Sequence, residues 1–192
     1  MDLGRYLPDI AIAAALAWGS GLRAYAVIFA LGLAGTFGWL ELPEHLRLLQ
    51  HPLVLGASGL MSAVEFFADK LPWLDSLWDA VHSFIRIPAG AALAAAVFGD
   101  SGAAVTLAAA ILGGTLAAGA HFAKAGTRAA INASPELFSN WTASLTEDAL
   151  VPLGLWLALV HPIAFFALLV VFFVTAALLL RLIWRGLRRL LA

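Results

Sequence analysis

Residues 163–180, with the sequence IAFFALLVVFFVTAALLL, decide the fold class of this chain. These 18 residues contain no charged side chain, and four arginines follow them before the chain ends. An α-helix needs about 20 consecutive apolar residues to cross the roughly 30 Å of hydrocarbon in a bilayer. The stretch therefore predicts a transmembrane helix.

The composition of the whole chain agrees with a membrane protein. Of its 192 residues, 62% are hydrophobic and 12% are charged, against roughly 25% charged residues in soluble domains. A chain of this size cannot bury so much apolar surface in a soluble globule, and disorder requires low hydrophobicity. The net charge of −1 gives no basic field for nucleic acid. The absence of cysteine excludes disulfides and thiol chemistry.

Apolar stretches along the chain predict an all-α, polytopic membrane bundle of about six spans, forming one transmembrane domain over residues 1–192. The predicted spans cover approximately residues 10–40, 53–68, 84–98, 103–123, 140–160 and 163–184. Several of them are rich in alanine and glycine, which permit close contact between helices in lipid. A homo-oligomer formed through these faces is one consequence that we expect.

Two of the predicted spans have unsuitable lengths. As a single helix, residues 10–40 would be about 46 Å long, so we expect a broken or re-entrant helix near residues 19–23, at Gly-Ser-Gly. The apolar residues 149–160 are too few to cross alone. Either their helix extends back through residues 140–148 and carries carboxylates into the membrane, or the chain re-enters the membrane within residues 132–160.

Basic residues predict the orientation of this six-span arrangement. With both termini in the cytoplasm, one basic residue, Arg47, falls outside and nine fall inside, which agrees with the positive-inside rule. The nine are Arg5, Lys70, Arg86, Lys124, Arg128, Arg181, Arg185, Arg188 and Arg189. The polar segments 69–83 and 124–148 are then cytoplasmic, and the turn at residues 99–102 lies outside.

One candidate site combines cations with a histidine on a single helix face. His121, Lys124, Arg128 and Asn132 have the offsets 0, 3, 7 and 11, which bring side chains together on a helix. Such a face can bind an anion such as a phosphate, a carboxylate or a lipid headgroup. Alternatively, the two cations anchor the helix by reaching towards the headgroups.

Carboxylates near membrane depth form the next candidate sites. Glu65 and Asp69 lie one helical turn apart, and the polar stretch 132–148 ends with Glu147 and Asp148, after Asn140. Burial raises the pKa of a carboxyl group, so such residues can exchange protons near neutral pH. Glu147 is predicted either to do so or to pair with a nearby cation. For Glu65 and Asp69, an ordinary interfacial helix end is the alternative.

A weaker candidate is a metal site. Asp75, Asp79 and His82 have the spacing i, i+4 and i+7, which aligns two carboxylates and an imidazole on one face. The alternative is an amphipathic helix at the interface, with Trp73 and Trp78 at headgroup depth.

The chain resembles a family of small bacterial polytopic membrane proteins known only as a domain of unknown function. The motifs that carry the resemblance are GLRAY (21–25), EFFADKLP (65–72), DSLWD (75–79) with His82, KAGTRA (124–129), SPE (134–136), SN (139–140) and ED (147–148). The resemblance implies a multi-pass protein of the bacterial cytoplasmic membrane. It implies no activity, so the functional prediction rests on the residues.

The sequence favours a transporter or channel-like permease for a small solute or ion, in contact with membrane lipids and without a cofactor. In this interpretation Glu65, Glu147 and Asp148 handle protons or cations, and Arg23, His121, Lys124 and Arg128 handle negative charge. One alternative is an intramembrane lipid-modifying enzyme with a metal at the cytoplasmic interface; the other is a non-catalytic scaffold. The sequence contains no glycine-rich phosphate-binding loop, no His-Glu-x-x-His zinc-binding motif and no Gly-x-Ser-x-Gly motif of a serine nucleophile. These absences argue against an enzyme.

Overall fold

The computed structural model describes residues 3–132 and 137–191 of the chain. Every element of secondary structure in the described residues is a helix, and none is a strand, which confirms the all-α class. Its α-helices are α1 (Leu3–Thr36), α2 (Pro52–Ala68), α3 (Pro72–Val97), α4 (Ala103–Asn132), α5 (Leu137–Val160) and α6 (Pro162–Leu191). Short 3₁₀ helices at Glu44–Gln50 and Gly99–Ser101 connect α1 to α2 and α3 to α4.

Within the described residues, five helices are long and apolar enough to cross a membrane. They are Tyr6–Thr36, Trp73–Val97, Ala103–Asn132, Phe138–Val160 and Pro162–Gly186. Glu44–Gln50 and Pro52–Ala68, which meet at 68°, give a sixth if they are counted as one bent span. The chain is therefore a multi-pass integral membrane protein, as its composition predicts.

Helix α1 is broken at Arg23 and folds back on itself. The backbone there leaves the helical conformation, with φ −148° and ψ 77°. A Cβ atom on Gly19 would lie 2.9 Å from Cγ2 of Val27, although eight residues of straight helix advance about 12 Å. At the bend, a Cβ atom on Gly21 would overlap the carbonyl oxygen of Ala117 on α4. The break predicted near residues 19–23 is confirmed, and its form is a hairpin.

Both arms of this hairpin point to the end of the bundle that carries the α3–α4 turn. Tyr6, at the start of α1, lines a cavity together with Phe98 and Ser101. After the second arm, His45 lies beside the same turn, with its Nε2 atom 3.1 Å from Oδ1 of Asp100.

The described ends of the chain lie at opposite ends of the bundle. Helix α6 runs alongside α4 in the same direction, because Phe173 packs at Gly119 and Leu180 at Gly126. It therefore finishes away from the α3–α4 turn, whereas α1 begins beside it. The side of the membrane that each described end faces stays a prediction.

Helices α3, α4 and α5 reach further than the predicted spans. The segment 69–83, expected as a polar cytoplasmic segment, is mostly the beginning of α3, which starts with Pro72 in the first helical turn. Helix α4 continues past residue 123 to Asn132. Helix α5 is continuous over Leu137–Val160, so the extended helix is correct and re-entry is not. The Ser-Pro-Glu motif at residues 134–136 lies outside the described residues.

Small residues allow α1, α3 and α4 to pack closely. A Cβ atom on Gly90 would contact both Ala117 and the carbonyl of Ala17, and one on Gly113 would overlap Ala94. Trp18 fills the space between α1 and α6, with its ring edge-on to Phe172. This packing brings the polar ends of α3 and α4 and the tip of the α1 hairpin to the same place.

Candidate functional site

Eleven charged side chains meet where the tip of the α1 hairpin contacts the other helices. We call this group the charge network. Its basic members are Arg23, Lys70, Arg86, Lys124 and Arg128. Its acidic members are Glu65, Asp69, Asp75, Asp79, Glu147 and Asp148. Six carboxylates against five cations leave the network with one excess negative charge when all are ionised.

Arg86 is the centre of the part of the network formed by α2 and α3. Its side chain is fully buried, and its two terminal nitrogens lie 2.5 Å from Oε1 of Glu65 and 2.5 Å from Oδ1 of Asp79. Its backbone carbonyl accepts a hydrogen bond from the hydroxyl of Ser20 at 3.0 Å. The α1 hairpin is thus attached to α3 at the point where Arg86 holds α2.

His121 connects this part to α4. Its Nδ1 atom lies 3.3 Å from Nη1 of Arg86, and its Nε2 atom is hydrogen-bonded to the hydroxyl of Ser83 at 2.6 Å. Both ring nitrogens therefore face polar groups of α3, and the imidazole joins two helices.

Asp69, in the turn between α2 and α3, is held by cations from two other helices. Its Oδ2 atom lies 2.9 Å from Nη2 of Arg23 and 3.0 Å from Nζ of Lys124. Burial alone raises the pKa of this carboxyl, but Lys124, Arg23 and Arg128 outweigh it and hold the pKa below its usual value. Asp69 is therefore a stable anion that joins the hairpin to α4.

Glu147 on α5 is bound by two cations of α4. The guanidinium of Arg128 contacts both carboxylate oxygens, with distances of 3.1 Å from Nε and 3.0 Å from Nη2. Nζ of Lys124 lies 3.2 Å from Oε2. Arg128 also donates to the side-chain oxygen of Asn140 and, at 3.0 Å, to its backbone carbonyl. The predicted pairing of Glu147 with Arg128 is present, and it is bidentate.

Arg23 and Lys70 close the network on the side of α5. Nε of Arg23 lies 3.0 Å from Oδ1 of Asp148, and its Nη2 atom donates to the hydroxyl of Ser144 at 3.1 Å. Lys70 lies over the ring of Phe66, 3.0 Å from its centroid, and 3.4 Å from the same hydroxyl. Burial lowers the pKa of Lys70. Ser144 is thus shared by two cations.

Asp75 differs from the other carboxylates, because no cation of the described residues lies within 4.0 Å of it. It accepts a hydrogen bond from the amide of Asn132 at 2.9 Å. Oxygen atoms of Asp69, Asp75 and Asp79 lie within 4.8 Å of one another, which makes them the one acidic group in the described chain that could hold a metal ion. Nζ of Lys124 already lies 3.0 Å and 3.6 Å from two of them, so positive charge is present without a metal.

The metal face predicted from residues 75, 79 and 82 needs a correction. His82 is not part of the acidic group. Its ring stacks on Trp78 with centroids 4.0 Å apart, and its Nδ1 atom lies 2.8 Å from the carbonyl oxygen of that residue. Asp69, which is distant in sequence, takes the third place instead.

The structure brings all ten predicted binding residues together. They are Arg23, Glu65, Asp69, His121, Lys124, Arg128, Asn132, Asn140, Glu147 and Asp148. Sequence reasoning missed Arg86, which it used only for orientation, and gave no role to Ser20. Arg86 follows Asp79 by seven residues, a spacing that places two side chains on one helix face and could have identified it.

A groove connects the lipid-facing surface to the charge network. It lies between α4, α5 and α6 and has a volume of about 620 Å³. Lys124 and Glu147 line it, and most of its other walls are apolar. Glu147 is 13% exposed, whereas Lys124 is fully buried at its side chain. The groove therefore reaches the carboxylate of Glu147, and the cations that bind this carboxylate lie behind it.

Comparison with known proteins gives a family without an assigned activity. None of the curated proteins and none of the solved structures matches the chain significantly. The sequence profile of one family matches residues 10–182, which is most of the chain and includes every member of the charge network. The chain therefore belongs to the family described as a domain of unknown function, DUF4126.

Proposed function

We propose that this protein is a transporter that moves a small anionic solute across the membrane together with protons. The observation that carries the proposal is the position of Glu147. Its carboxylate occupies a site formed by Arg128 and Lys124, at 3.0 Å and 3.2 Å, where the groove reaches the charge network. A carboxylate in such a place occupies an anion site that a substrate can take over.

The energetic cost of the network supports a transport function over a scaffold. Each ion that leaves water for a buried site costs several kcal/mol, which its ion pairs only partly return. Topology needs no such arrangement, because cations at helix ends can reach the headgroups. Charged side chains within spans typically line pathways for ions, and broken helices typically form binding sites in transporters. The hairpin tip at Arg23 combines both features.

Proton coupling follows from charge balance at Glu147. When this carboxyl takes up a proton, Arg128 and Lys124 lose their shared anion and attract another. When the substrate leaves, the proton must leave as well, because the neutral acid no longer compensates the two cations. One proton and one monoanion then move together, and the charge of the network is the same before and after.

The orientation that we propose places the charge network towards the cytoplasm of a bacterial cell. The exposed arginines at the end of α6, which include Arg181, Arg185 and Arg188, lie beyond this side of the bundle, while Arg47 is exposed near the opposite turn. This distribution agrees with the positive-inside rule. The α1 hairpin then opens outwards, and its start lies outside.

Flux in liposomes tests the proposal. Purified protein is reconstituted with a pH-sensitive dye inside, and inward gradients of chloride, phosphate, methanesulfonate and octanesulfonate are applied. We expect one or more of these anions to acidify the interior at least ten times faster than in protein-free liposomes. Glu147→Gln should abolish this acidification, and the matched control Glu44→Gln, on an exposed 3₁₀ helix, should retain it.

Two results would contradict the transporter. One is acidification no faster than in protein-free liposomes with any of the four anions. The other is normal flux by a folded Glu147→Gln variant, which would separate the carboxylate from coupling.

A further inference from the structure

We propose that the groove between α4, α5 and α6 is a lateral entrance for a single-chain anionic amphiphile. Its tail lies along the apolar walls, and its charged end replaces Glu147 on Lys124 and Arg128. This inference rests on the proposed function and specifies the substrate class of the same site.

The size and lining of the groove fit the tail. Its volume of about 620 Å³ lies within the ~300–1,000 Å³ that is common for small-molecule sites. The apolar walls include Ile131, Phe138, Leu150, Leu168, Val171 and Leu179. These residues come from three helices, so the groove is a concave surface rather than one exposed helix face.

Three of the five hydroxyl groups on the walls do not provide competing binding sites for a charged end. Thr127, Thr142 and Thr146 line the groove, and each donates its hydrogen to a carbonyl four residues back in its own helix, at 2.8–2.9 Å. Because these hydrogens are already used, the threonines offer an anion no donor. The ammonium of Lys124 is the one cation among the lining residues, and it therefore directs a charged end to the inner end of the groove.

Charge at the inner end selects an anion. There, Lys124 and Arg128 both contact the carboxylate of Glu147. Glu147 and Lys124 are the members of the charge network that line the groove. Once Glu147 is protonated, Arg128 loses its bidentate partner, and Lys124, which lines the groove, loses one of its three carboxylates. An anionic end compensates the positive charge that protonation leaves, a neutral end leaves that charge uncompensated, and a cationic end adds to it.

Photolabelling of the protein in lipid nanodiscs tests this inference. The probe is decanesulfonate with a diazirine on its chain, and labelled residues are identified by mass spectrometry. Its competitors have the same chain but different ends: unlabelled decanesulfonate, decanol and decyltrimethylammonium. We expect decanesulfonate to suppress labelling of the groove walls at concentrations at least tenfold lower than those needed for decanol or decyltrimethylammonium.

A pair of variants on α6 tests the location. Thr175 lines the groove, and Ala177 is exposed on the same helix but is not among the lining residues. Thr175→Trp should reduce labelling of the walls at least tenfold by filling the groove. The matched control Ala177→Trp should label like the unmodified protein.

Equal competition by the three amphiphiles would overturn the inference, because the groove would then only accommodate lipid chains. Unchanged labelling of Thr175→Trp would overturn it as well. Proton-coupled flux of methanesulfonate without competition by decanesulfonate would reject the amphiphile and keep the transporter. Selective labelling without any anion-driven acidification would keep the site and reject transport.

Discussion

Replacement of Arg86 by methionine should strongly destabilise the folded protein. The guanidinium contacts Glu65 and Asp79 at 2.5 Å each, and all three side chains are buried. Without it, Glu65 has no other cation within 4.0 Å in the described structure, and Asp79 keeps only Lys124 at 3.6 Å. Removal of one partner from a buried ion pair typically costs about 3–5 kcal/mol, and we expect Arg86→Met to lose that amount.

Reversible unfolding in mixed micelles, followed by circular dichroism, measures this loss. The matched control is Arg181→Met on the exposed end of α6, which should change the free energy of unfolding by less than about 0.5 kcal/mol. The double variant Arg86→Met with Glu65→Leu should recover part of the loss, since the carboxylate that has no other cation is then absent. A loss below about 1 kcal/mol in Arg86→Met would refute the conclusion that Arg86 compensates two buried acids.

Three further predictions concern topology, anchoring and pH. Cysteines in Tyr6→Cys and Asp100→Cys variants should react with an impermeant maleimide from the same side of the membrane; reaction from opposite sides would show that α1 crosses. Arg185→Gln combined with Arg188→Gln should leave membrane insertion normal and the transport rate within about twofold. Both arginines are exposed anchors, each of which stabilises binding to an anionic surface by roughly 1 kcal/mol. Lost flux with normal insertion would contradict this assignment. The lowered pKa of Asp69 means that its stabilising contribution is complete above the ordinary value of about 3.9 and is lost as the pH falls below it. Asp69→Asn should therefore flatten the acid limb of stability against pH, and an unchanged limb would argue against the pairing.

Local properties of the sequence predicted much of this fold. Hydropathy and length identified the spans, and the glycines around Ser20 identified the break in α1. Helical spacing predicted that His121, Lys124 and Arg128 share a face, and all three are buried. These predictions rest on helix geometry and on the free-energy cost of a charge in lipid. Both can be read from residues that are close together in the sequence.

Such local reasoning could not predict the contacts between helices. The direction of α1 after Arg23 depends on its packing against α2 and α4, and the charges near its ends do not distinguish a crossing from a hairpin. The pairing of Arg86 with Glu65 joins residues of two helices, and sequence spacing contains no information about it. His82 fitted a metal pattern along one helix, but Trp78 and the rotation of α3 determine where its ring lies.

Lys124 explains why Glu147 is the acid that can leave the network. The ammonium lies within 4 Å of three carboxylates, those of Asp69, Glu147 and Asp79. Asp69 also contacts Arg23, and Asp79 also contacts Arg86, and each of these guanidiniums has a second carboxylate, that of Asp148 or Glu65. When Glu147 is protonated, Lys124 keeps two carboxylates, whereas Arg128 keeps one within 4.0 Å, that of Asp69. The cation that protonation leaves least compensated therefore lies directly behind the carboxylate that lines the groove.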